Sequence, residues 1–291
     1  MKLPEGMRIL TPAKGVYAYY DGRLPGYHFA ETPNWVDEGA LTLGIASYAL
    51  VAGHQAIVYD THVTVDHARA IRRHLERLGV TDFTVVLSHR HLDHVAGTEA
   101  FADCRVITNA LTAAHLERDR AAIEAGTLGG LPAIAPLVLP TETFEGQMAL
   151  TLGGERIELI QLNIHSDDAT VLWLPERRIL LAGDTLEDTV TYVGEPEGFD
   201  AHLRDLARLS ALGPLHILPN HGDPDVIAKG GFGSGLIGAT ERYVALLRSG
   251  RAPESLAEAM PLFDTGKACR YAACYEAVHR ENLARVAELA Q

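Results

Sequence analysis

Cysteine is scarce in this chain, with three in 291 residues. Cys104, Cys269 and Cys274 form neither a thiolate zinc motif nor a disulfide framework, which excludes a zinc finger or a cross-linked secreted scaffold. Long apolar runs are missing as well. No stretch approaches the ~20 residues of a membrane span. The opening Met1-Lys2-Leu3-Pro4-Glu5-Gly6 has no apolar signal core. These absences lead us to expect a cytoplasmic protein with no membrane partner. Positive charge is the third deficit: 25 Lys and Arg stand against 38 Asp and Glu, a formal net charge of −13. Phosphate backbones are bound through Lys and Arg, so nucleic acid is not an expected partner. The chain has no internal repeat and no low-complexity tract. Its composition, 47% hydrophobic and 22% charged, is that of a globular protein long enough to bury a full core.

Histidine, in contrast, is concentrated in one place. Ser88-His89-Arg90-His91-Leu92-Asp93-His94 follows the pattern His-x-His-x-Asp-His. Neutral imidazole and carboxylate are the ligands of zinc and similar divalent metals. The preceding run, Asp82 to Leu87, is short, apolar and rich in β-branched and aromatic residues, as in a buried strand. Val95 to Phe101 can form a short helix. The motif is therefore expected in a loop just past a strand end, where a rigid scaffold presents function. In a locally extended segment His89 and His91 point the same way. Asp93 and His94 follow at the bend and can aim elsewhere. Four ligands this close rarely all reach one ion, so the spacing suits two adjacent metals.

More ligands follow along the chain. His165 comes just after the strand-like run Arg156 to Leu162. Asp184 follows Ile179 to Gly183, and His221 follows Ile217 to Asn220. A single histidine after a strand is more often a surface or capping residue. Here one arrangement recurs: an apolar strand, then a ligand, then a turn. Four such strand ends converging on one edge of a fold make a metal pocket.

These residues resemble the metallo-β-lactamase superfamily of metallo-hydrolases, over roughly Arg8 to Leu247. The matching features are Ile57-Val58-Tyr59-Asp60-Thr61, Ser88 to Gly97, His165 with Asp168, Gly183-Asp184-Thr185 and Asn220-His221-Gly222. The resemblance implies an α/β fold, the αββα four-layer sandwich. It implies two divalent metal ions, zinc first and iron, manganese or cobalt as alternatives. One would take His89, His91 and His165, the other Asp93, His94 and His221, with Asp184 bridging both. It places Asp60, and with it Asn220, as residues supporting the ligands. An aspartate at the bridging position resembles the glyoxalase II and lactonase branches, whereas the zinc β-lactamases carry a cysteine ligand. The lactonase pattern has a tyrosine close after that aspartate, where this chain has Glu187.

Two divalent cations about 3.5 Å apart share a water and lower its pKa towards neutrality, giving a bridging hydroxide as nucleophile. Asp184 would hold the pair, and Asp93 would pass a proton to the leaving group. The expected reaction is hydrolysis of a small-molecule carboxyl derivative. A lactone or ester comes first, a thioester next, and a β-lactam as a side activity. The alternative is a mononuclear iron oxidoreductase of the persulfide dioxygenase type, which needs fewer ligands.

Periodicity places strands in Arg8 to Tyr20, Ile45 to Val51 and Ala56 to Asp60, and a hairpin around Pro175-Glu176-Arg177. Helices are expected at Val65 to Leu78, Thr108 to Gly126 and Asp200 to Leu212. Asp21 to Gly39 and Thr127 to Gly146 are expected as loop and irregular insert. His28, Phe29 and Trp35 in the first loop are candidates for gripping an apolar group, and Tyr192 for donating to an oxyanion. The Gly-rich stretch Lys229 to Gly235 is a candidate rim of the site and lacks the lysine placement of a phosphate loop. We expect a catalytic domain over residues 1–250 and a helical extension over 251–291. In the extension Ser255 can cap a helix, and Tyr271, Tyr275, Val278, Leu283 and Val286 fall at helical spacing. Its apolar face would pack on the body or on a homodimer partner, or bring Tyr271 or Tyr275 to the substrate.

Overall fold

In a computed structural model, described over residues 3–289, strands and helices segregate into four layers. The first sheet has seven strands in chain order: β1 (Arg8–Ala13), β2 (Val16–Asp21), β3 (Ile45–Ala52), β4 (Gln55–Tyr59), β5 (Asp82–Val86), β6 (Arg105–Asn109) and β7 (Glu142–Phe144). The second has five: β8 (Gln147–Leu152), β9 (Glu155–Ile164), β10 (Ser166–Leu174), β11 (Ile179–Gly183) and β12 (His216–Pro219). Pairing is antiparallel from β1 to β4 and parallel from β4 to β7. In the second sheet only β11 and β12 pair in parallel.

Alternation along β4 shows why the sheets stack. Ile57 and Tyr59 enter the core shared with the second sheet, while Ala56 and Val58 face the other way. The period of two gives each strand of the first sheet two apolar faces. Helix α1 (Val65–Arg77) covers the outer face with Ala68, Ile71 and Leu75. A four-residue turn, α2 (Leu92–Val95), precedes α3 (Ala110–Glu124), which adds Leu116 and Ile123. Thr64 and Asn109 cap α1 and α3 by accepting from the amides of His67 and Thr112.

On the far side α4 (Phe199–Leu212) packs on β9 and ends at Gly213, whose left-handed backbone (φ 65°) suits glycine. A short α5 (Pro224–Ile227) leads to α6 (Gly235–Arg248), then α7 (Leu256–Phe263) and α8 (Tyr275–Leu289). The four-layer sandwich expected from the sequence is the observed fold. No described helix is long and apolar enough to cross a membrane.

Three expectations need correction. The loop from Asp21 ends in one turn of π-helix, Val36–Leu41, rather than running irregular to Gly39. The segment 127–146 is irregular only to residue 141, because Glu142–Phe144 pairs with β6 as the last strand of the first sheet. Ser255 stands at the start of α7 but makes no capping bond to the backbone. The carboxylate of Glu276 takes that role, accepting from the amides of Leu256 (2.9 Å) and Ala257 (3.1 Å). Leu256, Ala259, Phe263 and Tyr275 of α7 and α8 are buried in the main core, so these helices pack on the body.

Candidate metal centre

Strands β4, β5 and β6 run in parallel, so their carboxyl ends lie along one edge. After β5 come His89 and His91 in a loop and Asp93 and His94 in α2. From the second sheet come His165, between β9 and β10, Asp184 after β11 and His221 after β12. The loops are drawn together by bonds between the sheets: Thr170 N donates to Ser88 O (2.7 Å) and Ala46 N to Asn220 O (2.7 Å). Buried tyrosines add more, with Tyr20 donating to Gly222 O, Tyr48 to Pro219 O and Tyr59 to Thr170 O. Gly97, which closes the motif, sits where any side chain would collide with the Thr61 carbonyl and with Ala68.

All seven residues selected as ligands from the sequence converge. Ligand atoms of His89, His91, His165 and Asp184 lie within 4.8 Å of one another, and so do those of Asp93, His94 and His221. The two groups meet at Asp184. Its Oδ2 lies 3.1 Å from His94 Nε2, 3.4 Å from His221 Nε2, and 3.6 Å from both His89 Nε2 and His165 Nε2. Four imidazoles around one carboxylate oxygen is a costly arrangement for side chains alone. With metal–ligand bonds of about 2.0–2.1 Å, the edge of a coordination tetrahedron is about 3.4 Å, which is the spacing seen. His89 Nε2 and Asp184 Oδ1 are also buried without a hydrogen-bond partner, and two ring nitrogens, His165 Nε2 and His91 Nδ1, face each other at 3.0 Å. The donor set fits two divalent cations.

The cluster splits its histidines into two protonation classes. Burial is the main cause that holds His89 well below the usual imidazole range and His91 down to about 3, so both offer a lone pair at neutral pH. Burial acts the same way on His94 and His221, but the Asp184 and Asp93 carboxylates outweigh it and raise both. In return these imidazoles hold Asp184 and Asp93 well below the carboxylate range, against burial.

Asp60 hydrogen-bonds to three segments around the cluster. Its Oδ1 accepts from Ser88 N (2.7 Å), and its Oδ2 from His94 Nδ1 (2.8 Å) and Asn220 Nδ2 (2.6 Å). His221 Nδ1 donates to Gly44 O (2.9 Å), and His89 Nδ1 meets Ser88 Oγ (2.9 Å). Asp168 clamps the motif loop by accepting from Arg90 N (2.9 Å), Arg90 Nη1 (2.6 Å) and Thr112 Oγ1 (2.9 Å). These contacts fix which ring nitrogen faces the cluster.

The cluster opens into a cavity of about 780 Å³. Trp35 and Tyr192 are among its walls, and His28 and Phe29 are not. The backbone amides of Phe29 and Ala30 are tied to Asp37, and the Trp35 indole donates to Pro132 O (3.0 Å), so the loop folds back on the chain. The Tyr192 hydroxyl donates to Glu281 (3.2 Å), its pKa pushed up to about 12 by burial and by Glu281, while its ring packs edge-on against His165. The Gly-rich stretch is no rim: Gly231 lies tight on the Ile217 carbonyl and Phe232 pairs with Ile217 of β12. Tyr271 is exposed and Tyr275 is buried beneath the cavity, and neither lines it. Tyr271 also lies outside α8, which begins at Tyr275, and α8 itself lines the cavity through Ala277, Val278, Glu281 and Arg285. Periodicity located α8 without showing which wall it builds.

The fold and this site define a class, and the sequence comparison agrees with it. The model of the metallo-beta-lactamase superfamily matches residues 41–223, and the chain belongs to that superfamily. The linear primary-alkylsulfatase of Pseudomonas sp. (strain ATCC 19151) is 24% identical over 212 residues, 58% of this chain and 39% of that protein. The chain thus spans well under half the length of that curated relative. Among solved structures, VMB-1 superposes with a TM-score of 0.62 at 15% identity, over 83% of this chain and 97% of that one. The metallo-beta-lactamase from Pontibacter korlensis gives 0.57 at 17%, over 79% and 98%, and the DIM-1 metallo-beta-lactamase 0.56 at 19%, over 76% and 92%. At these identities the likeness is one of fold.

Proposed function

We propose that this protein is a hydrolase dependent on two divalent metals, acting on a small carboxyl derivative. A lactone or ester is the first choice, a thioester the next, and a β-lactam a side activity. The observation that carries the reading is the doubled ligand set around Asp184 Oδ2, more than a single ion needs. Zinc is the first choice of metal. His89, His91 and His165 would hold one ion and Asp93, His94 and His221 the other, with Asp184 shared. Bound there, the pair would supply Lewis acidity and a lowered pKa for the attacking water.

The chain's own groups do the rest. Trp35, Leu43, Leu92, Leu116, Ile123 and Val278 give the cavity an apolar wall that excludes water from the acyl side. Asp93 faces the cavity beside His221 (3.2 Å), where its carboxylate can take the proton given up by the attacking water and pass it to the leaving group. The wall arginines already meet carboxylates, Arg90 with Asp168 (2.6 Å), Arg118 with Asp119 (2.6 Å) and Arg285 with Glu281 (3.3 Å). This favours a neutral ester or lactone over a highly charged substrate. The alkylsulfatase relative supports a second reading, hydrolysis of an alkyl sulfate, in which the apolar wall takes the alkyl chain.

The test is a substrate panel with metal-loaded protein: lactones, aryl esters, a thioester, a chromogenic cephalosporin, a phosphodiester and an alkyl sulfate. Turnover concentrated on lactones or esters supports the first reading, and on the sulfate the second. Inactivity on all, with one iron per chain and oxygen consumption on a persulfide, overturns both in favour of an iron oxidoreductase.

A further inference from the structure

The superfamily match ends at residue 223, well before α7 and α8. Yet α8 reaches the metal cluster through two buried side chains. The path starts at His165, which adopts a left-handed backbone (φ 71°) that a non-glycine residue keeps only when its surroundings hold it there. Its Nε2 faces the cluster. Its Nδ1 faces away, buried and without a hydrogen bond. The carboxylate oxygen beside Nδ1 is Glu187 Oε1, at 3.5 Å. A histidine that ligates through Nε2 carries its proton on Nδ1, and that proton needs an acceptor.

Glu187 is 1% exposed, so its carboxylate must be satisfied within the protein. Oε1 accepts from Tyr192 N (2.9 Å), and Oε2 accepts from the Tyr275 hydroxyl (3.1 Å). Tyr275, the first residue of α8, is fully buried. Two turns on, Asn282 accepts from Val193 N (2.8 Å) and donates to Thr191 O (3.0 Å), fastening the same loop to the same helix. Thr191 Oγ1 in turn donates to the Asp184 carbonyl (2.7 Å).

We infer that Glu187 is the acceptor that orients His165, and that Tyr275 holds Glu187 in place, which makes the C-terminal helix part of the metal centre. Both are positioning residues, and the inference rests on the metal-centre reading above. The experiment is a titration of metal-free, full-length protein with Zn2+ against a chromophoric chelator, with the Co2+ absorption spectrum as a second readout. Glu187→Gln keeps the shape and removes the charge. It should weaken one of the two binding steps about 10–100-fold and leave the other within about threefold. Tyr275→Phe keeps the ring and should weaken the same step by a smaller factor. The double variant should add little to Glu187→Gln alone, and the Co2+ band of that site should shift. Tyr275→Phe keeps the test decisive if Glu187→Gln fails to fold. Both steps at wild-type affinity in the variants would overturn the inference, even if the metal-free melting temperature drops. A wild-type chain that binds fewer than two ions would overturn the metal-centre reading itself.

Discussion

Asp60→Asn probes how the site is held, because it changes one oxygen of a fully buried carboxylate that accepts three hydrogen bonds. An amide keeps one accepting oxygen, and its NH2 must face somewhere. Turned to the Ser88 side, it meets the Ser88 N–H donor to donor. Turned to the other side, it meets His94 Nδ1 and Asn220. Asn220 can flip, since its own Oδ1 is buried without a partner. His94 cannot adapt without moving its proton to Nε2, the nitrogen that faces Asp184 at 3.1 Å, and a protonated Nε2 binds no metal. A buried donor left unsatisfied costs about 1–3 kcal/mol. At about 2–4 °C per kcal/mol for a chain of this size, the metal-free melting temperature should fall by about 2–12 °C. The ion held by Asp93, His94 and His221 should bind about 10–100-fold more weakly, or about 1.4–2.7 kcal/mol, a loss of the same size. Calorimetry of the chelated protein and a zinc titration measure the two effects. Wild-type values in both would refute the view that Asp60 sets the His94 tautomer.

Four further outcomes are expected. Asp93→Asn should keep a second ion at reduced affinity and lose about 100-fold or more in turnover; full turnover at saturating metal would remove Asp93 from proton transfer. His89→Ala should lose one ion and nearly all turnover while staying folded, and chelation of the wild type should lower its melting temperature by mass action; an unchanged melting temperature after verified metal removal would uncouple the site from folding. His202 is buried, with neither ring nitrogen hydrogen-bonded, and its pKa is pushed down to about 4, by burial first and His165 next. Its folded pKa lies below the unfolded ~6.5, so its stability contribution is full above pH 6.5 and falls by up to about 3 kcal/mol as pH drops through 4. His202→Leu should therefore flatten the loss of urea resistance between pH 6.5 and 4, and an acid limb parallel to wild type would exclude His202 as its source.

The cluster of candidate ligands was legible because its chemistry is local. His89 to His94 lie within six residues, and His165, Asp184 and His221 each follow an apolar strand, a pattern that strand geometry turns into one edge. Asp60 was legible by resemblance. The walls of the cavity were not, because they depend on how distant segments dock. His28 and Phe29 looked available as loop aromatics, yet Asp37 ties that backbone away from the cavity. Glu187 stood out only as a departure from the lactonase pattern. Its bond to Tyr275 spans 88 residues and has no periodic trace. Ser255 has the right type for a cap, but Glu276 from the next helix brings a charge and takes two amides instead.

The buried tyrosines between the sheets have a consequence of their own. Tyr20, Tyr48 and Tyr59 stand on one sheet and hold carbonyls of the other near its ligand loops. Four of the seven candidate donors belong to the first sheet and three to the second, so the gap between the two sets follows the thickness of the interior. A substitution deep among these rings can widen or narrow that gap and favour a larger or smaller ion, with every donor left as it was.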